Sequence, residues 1–189
     1  MYSSAYNKLF WGFIFVILKI NIGPLDILPD FLGYFIMYSG ICDLSVQNIY
    51  YAKAKWPSVV LAIISFKDLV INADNNLLTG NTGNFQIGNP WLGIIGAVTM
   101  VINIYLIYII CNGICLVSEE KDLIELNGAA SWRLKFYFVI SIVYAFIIPF
   151  TMNLPRDFSG ILILLVIPYF IVMIAIAALF RKARAQLSD

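Results

Sequence analysis

From Trp91 to Val117 the chain runs without a single charged residue, on a background of Ile, Val, Leu and Tyr. Crossing a hydrocarbon core of about 30 Å takes about 20 residues at about 1.5 Å each, so this stretch is longer than one crossing needs. Five further apolar runs accompany it, at 9–20, 27–43, 57–72, 136–152 and 160–180. Of the 189 residues 61% are hydrophobic and 12% charged, with a mean hydropathy of +0.88. Soluble domains are about 45–50% apolar and about 25% charged. One small core cannot hide so much apolar surface. That excludes a soluble enzyme, a nucleic-acid binder, a disordered tail and a secreted disulfide scaffold. The expected fold is all-α, a polytopic membrane helical bundle of about six spans forming one integral domain over 1–189.

The last run fits one crossing, the 91–117 run tilts or projects, and the first three are short. The first two, joined by the turn-rich Asn21–Asp30 segment, form either a hairpin of two thin spans or a re-entrant pair, so six spans and four spans plus a re-entrant hairpin both stand. The opening apolar run follows Lys8, as in a signal peptide, but no small-x-small cleavage pattern follows it. It is read as an uncleaved first span.

Lys and Arg set the orientation, because basic connections stay on the cytoplasmic side. Lys53 and Lys55 form one basic connection, Lys121, Arg133 and Lys135 lie in a second at 118–135, and Arg181, Lys182 and Arg184 open the 181–189 tail. The 73–90 loop has neither Lys nor Arg and is expected outside the cell. With Lys8 inside, both termini are cytoplasmic and the protein is a multi-pass plasma-membrane protein. Trp11, Trp56, Trp91 and Trp132 sit at the ends of apolar runs, where indoles suit the headgroup zone. Asn127-Gly128 is expected to end a short surface helix in the 118–135 connection.

Chemistry-bearing patterns are sparse. Histidine is absent, which removes the commonest general base and metal ligand. Cys42, Cys111 and Cys115 lie in apolar stretches and are read as small reduced hydrophobes. The sequence has no HExxH, G-x-S-x-G or Walker lysine loop. No catalytic residue, metal site or cofactor is expected, nor any nucleic-acid partner; the expected partners are the lipid bilayer and a membrane protein or second copy of the chain.

Two Leu-Pro helix entries are notable, Leu28-Pro29-Asp30-Phe31 and Leu154-Pro155-Arg156-Asp157-Phe158, each expected at the outer face. A helix starting near Pro29 places Asp30 in its first turn, where the dipole favours a carboxylate. A start at Pro24 instead makes Asp26 and Asp30 repelling i, i+4 neighbours. Lys67 and Asp68 lie in the third run, and a charge stranded at a bilayer centre costs roughly 2.5–3.5 kcal/mol. Each of these two needs its own partner. Lys19, Asp26, Asp30, Lys67, Asp68, Arg156 and Asp157 are therefore expected to converge near the outer surface. Two readings apply: an outward-facing site for a cation, a polar solute or a partner's charged segment, or ion pairs that hold the hairpins.

Small residues suggest helix contacts at Gly33 and Gly40, at Gly93, Gly96 and Ala97, and at Ala175 and Ala178. In the fourth run Asn103, Tyr105, Tyr108 and Asn112 add polar side chains at depth.

Residues 9–41, with Asp26-Ile27-Leu28-Pro29-Asp30-Phe31-Leu32-Gly33-Tyr34 matched in full, resemble a group of small, uncharacterised multi-pass bacterial membrane proteins. These open with a short apolar run and a D-I-L-P-D-F-[IL]-G-Y hairpin. The resemblance covers about a sixth of the chain. It implies a bacterial plasma membrane and a structural weight on the hairpin, and brings no activity, cofactor or catalytic residue. The expected function is a membrane-embedded interaction, accessory or sensing protein, with a small transporter for a polar or ionic solute as the alternative.

Overall fold

A computed structural model describes residues 2–18, 21–22, 25–26, 30–71, 90–151 and 159–188. Side chains are described over 2–18, 30–66, 94–146 and 167–188. Among the described residues the chain is all-α, with six α-helices: α1 (Tyr2–Ile17), α2 (Asp30–Gln47), α3 (Lys55–Ile71), α4 (Pro90–Glu120), α5 (Ile124–Thr151) and α6 (Ser159–Gln186). A 3-10 turn (Ile49–Ala54) links α2 to α3. Two-residue strands, β1 (Asn21–Ile22) and β2 (Leu25–Asp26), pair antiparallel between α1 and α2.

Each helix packs on its neighbours in sequence, and α6 closes back onto α1, so the six form a ring. Every charge whose side chain is described, except Asp30, sits toward one end of that ring, called here the basic end. Asp30 opens α2 at the opposite end, in a first turn that suits a carboxylate. Asp26 lies in β2, so the alternative of a helix running from Pro24 through both aspartates does not hold.

The tightest contact joins α1 and α2. A Cβ built on Gly12 meets the Gly33 carbonyl oxygen at 2.6 Å, and one on Gly33 meets the Gly12 oxygen at 2.6 Å. Two backbones approach this closely only where both helices lack a side chain at the same height. One turn or two nearer the basic end, Gly40 packs on Ala5. Gly96 and Gly128 meet nothing within 4 Å, and Ala178 is exposed. Among the described residues, the small residues expected to form contacts in the fourth and sixth runs do not do so at Gly96 or Ala178, because both face the open outside of the ring. Gly93 lies outside the described side chains.

The 118–135 connection is helical apart from a three-residue turn. Leu123 N–H bonds the Ser118 carbonyl at 2.8 Å, and Asp122 takes φ 55°. That is a left-handed C-terminal cap on α4. α5 then runs through Asn127-Gly128, which therefore does not end a helix as expected. The basic 181–189 tail is likewise mostly the last turn of α6.

The core spans the ring interior: Leu9 and Phe13, Met37 and Ile41, Leu61, Leu106 and Ile110, Ile176 and Phe180 are buried. Phe13 and Phe180 meet edge to face at 5.4 Å, closing α1 onto α6. The outside is also apolar. Phe35, Ile63 and Phe146 are 66%, 68% and 70% exposed, and Val98, Val101, Val139, Ile142, Phe170 and Ile174 are exposed as well. One helix, over Ile94–Glu120, is long and apolar enough by itself to cross a membrane among the described residues. α1, α2 and α3 have 16, 18 and 17 residues.

Candidate functional site

The seven charged residues expected at the outer surface divide by how far they are described. Lys19, Arg156 and Asp157 lie outside the described residues. For Asp26, Lys67 and Asp68 the backbone alone is described, in β2 and near the end of α3. Asp30 is half-buried at the start of α2. Phe31 and Phe66 meet edge to face at 5.4 Å, which ties the start of α2 to the far end of α3. Backbone topology thus brings Asp26, Asp30, Lys67 and Asp68 to one end of the bundle.

The side chains described in most detail gather at the basic end. Tyr6 donates from its hydroxyl to Gln47 Oε1 at 2.9 Å, and its oxygen lies 3.2 Å from that of Tyr51. Since Tyr6 spends its one proton on Gln47, Tyr51 is the donor in that pair. Gln47 passes the chain on, donating from Nε2 to the Leu187 carbonyl at 3.2 Å. Four segments far apart in sequence are so joined: α1, the end of α2, the 3-10 turn and the C-terminal end of α6. Tyr51 fits because Gly113 of α4 leaves room for its ring; a Cβ there would stand 2.5 Å from Tyr51 Cε1. Burial holds the Tyr51 phenol well above its ordinary pKa, and the neighbouring Tyr6 hydroxyl adds to this. The network is neutral at ordinary pH.

A more exposed layer surrounds it. Lys8 bonds Asp43 at 2.7 Å and Ser39 at 3.1 Å, Arg184 reaches Asn7 at 3.0 Å and Ser3 at 3.3 Å, and Asn48 reaches Glu120 at 3.1 Å. Lys53 stands 4.4 Å over the Tyr50 ring. Such exposed pairs are worth about 0–1 kcal/mol each. They fix where the helix ends lie rather than hold the fold.

Deeper in, the ring carries polar groups of a different kind. Asn103 donates to Tyr34 Oη at 2.7 Å, an interhelical bond from one of the polar positions expected in the fourth run. Tyr108, expected to add a polar side chain at depth, is exposed and lies beside Tyr50. On α5 the Arg133 Nη1, Tyr137 Oη and Ser141 Oγ atoms are buried and have no hydrogen-bond partner among the described residues. Arg133 was read from sequence only as a marker of orientation. The i, i+4, i+8 spacing of three polar residues was the available signal for this line.

Cys42, Cys111 and Cys115 are free thiols, Cys111 buried and Cys115 3.5 Å from Ser131 Oγ. Among the described residues no three His, Cys, Asp or Glu side chains come together. No protein-family model, curated protein or solved structure matches the chain.

Proposed function

We propose that this chain is a polytopic membrane protein whose six helices lie in the bilayer, with the basic end and both termini in the cytoplasm. One observation carries the reading: the bundle is apolar outside as well as inside, on every helix of the ring, while the charges retreat to the helix ends. Soluble monomers rarely expose contiguous apolar patches larger than a few hundred Å². The short α1, α2 and α3 span roughly 24–27 Å at about 1.5 Å per residue, which calls for local thinning of the bilayer or snorkelling at their ends. Lys8, held by Asp43 at the surface, does the latter.

Within the membrane the protein acts as an interaction or accessory component. Tyr6, Tyr51, Leu44, Ile114 and Leu187 are all fully buried at the basic end, and this plug supports a partner-binding bundle over an open pore. Its connections are too short to form a soluble domain, so signals pass through helix contacts. The matched D-I-L-P-D-F-L-G-Y hairpin supports a bacterial plasma membrane. The alternative, a small transporter, is favoured by one observation, the line of buried donors along α5 inside the ring.

Two experiments test this. A reporter fused after Asp189 is expected to report a cytoplasmic location and one inserted at 73–90 an external one; an external C-terminus overturns the orientation. Detergent-solubilised membranes are expected to yield a stoichiometric partner and reconstituted protein no solute flux. Flux that disappears in Asp68→Asn or Asp30→Asn would instead establish the transporter.

A further inference from the structure

Arg133, Tyr137 and Ser141 follow one another at four-residue intervals on α5, so they share a face and climb about 6 Å per step. Tyr137 and Ser141 are fully buried. All three offer a donor, and none of the three atoms makes a hydrogen bond of ordinary geometry among the described residues. Buried polar groups are almost always paired, and donors left over on one helix face call for an explanation. The Tyr137 and Ser141 hydroxyls lie close enough to interact with each other, and since a mutual bond uses one of their two protons, one hydroxyl donor is left over beside Arg133 Nη1. Arg133 and Tyr137 both lie within electrostatic reach of the Cys111 thiol of α4, and Tyr137 also of Tyr34 and Tyr169. None of these neighbours is a carboxylate. The two described ion pairs of the basic end use Lys8 and Lys182, not Arg133.

We propose that this face of α5 binds an anionic oxygen-rich group, a phosphate or carboxylate. Arg133 supplies the positive charge through Nη1 and Tyr137 the hydroxyl donor next to it, while Ser141 extends the line of donors one turn deeper. A neutral acceptor would satisfy the hydroxyls but leave the buried Nη1 edge of the half-buried guanidinium without a counter-charge. A planar, delocalised guanidinium is also the side chain best matched to phosphate and carboxylate oxygens. The same chemistry is offered by a lipid headgroup phosphate and by a free anion. The site depends on the ring geometry and on no particular orientation in the bilayer.

The test uses the full chain in detergent, with thermal unfolding followed at matched ionic strength. Millimolar inorganic phosphate in place of chloride is expected to raise the midpoint by several degrees if the source is a free anion. If the source is a headgroup, the rise appears only in nanodiscs containing phosphatidylglycerol and not in those of phosphatidylcholine alone. Arg133→Gln is expected to weaken the apparent affinity by about tenfold or more, the loss of one charged hydrogen bond, and Arg133→Lys to restore part of it. Tyr137→Phe keeps the ring and removes only the donor. It is expected to leave ligand-free stability unchanged or higher while reducing the anion-dependent rise, which a purely structural tyrosine would not do. No rise with either probe in the native chain, or an undiminished rise in Arg133→Gln, overturns the proposal.

Discussion

The ring has two antiparallel pairs that look alike in outline and are held by different forces. α1 and α2 meet backbone to backbone, with Gly12 opposite Gly33 and Gly40 opposite Ala5. α4 and α5 are nearly twice as long, meet through side chains, and are held in register by the tight turn at Asp122. Both pairs contain glycine, yet Gly96 and Gly128 touch nothing. A glycine makes a helix contact only when the facing helix has a gap at the same height. The α1–α2 pair is therefore drawn together along its length by close backbone approach, whereas the longer α4–α5 pair touches more sparsely. The pair that is shortest relative to a membrane is also the one packed most closely.

The largest expected effect breaks that contrast directly. Gly33→Leu drives a side chain into the Gly12 carbonyl and Val16, and is expected to cost about 3 kcal/mol of stability. Gly96→Leu, the same change in open space, is expected to stay within about 0.5 kcal/mol. Thermal unfolding of both variants in detergent compares them; equal losses would mean that close approach is not what joins α1 to α2.

Next in size is Tyr51→Phe, which removes the bond to Tyr6 and is expected to cost about 1 kcal/mol. Its pH dependence sharpens the point. Burial raises the Tyr51 pKa in the folded chain, so above the ordinary phenol value of about 10 the unfolded chain releases a proton that the folded one keeps. Stability is then flat below about pH 10 and falls as pH rises further, and Tyr51→Phe removes part of that fall. Unfolding midpoints measured on the two proteins across that range show whether the alkaline loss differs.

Asp122→Gly tests the α4–α5 pair. A glycine at the left-handed position removes a Cβ penalty and is expected to add about 0.5–1 kcal/mol, read as a higher midpoint. The smallest effect belongs to Lys8→Gln. With its side chain 36% exposed and that of Asp43 48% exposed, the pair is expected to contribute under about 1 kcal/mol, a difference that added salt should erase.

Much of the fold was readable along the chain. The runs at 91–117 and 160–180 lie within α4 and α6, because long uninterrupted apolar stretches have few alternatives to helix, while the run at 136–152 marks only the later part of α5, which starts at Ile124. Boundaries were less legible. Asn127-Gly128 has the composition of a helix end, but the turn forms at 121–123, where Asp122 accepts a left-handed backbone and Leu123 reaches back to Ser118. The start of α2 at Asp30 agrees with the favoured helix-start reading, since an acidic residue in a first turn is a local signal. The outer charged cluster was inferred from topology and reaches the described side chains only at Asp30. The α5 donors were passed over because Arg133, Tyr137 and Ser141 were weighed separately, as a topology marker, an aromatic and a small polar residue.

Residue types and their order alone decided that the chain is helical, apolar on the whole and basic at one end. Those properties sum over single residues, each set by its own cost of leaving water and its own backbone preference. Only the packed ring decided that Gly33 rather than Gly96 makes a contact, that Tyr6 and Tyr51 share a proton chain, and that Arg133, Tyr137 and Ser141 turn buried donor atoms along one face of α5. Each depends on the height and rotation of one helix against another, and such relations between distant segments are not carried by any local stretch of sequence.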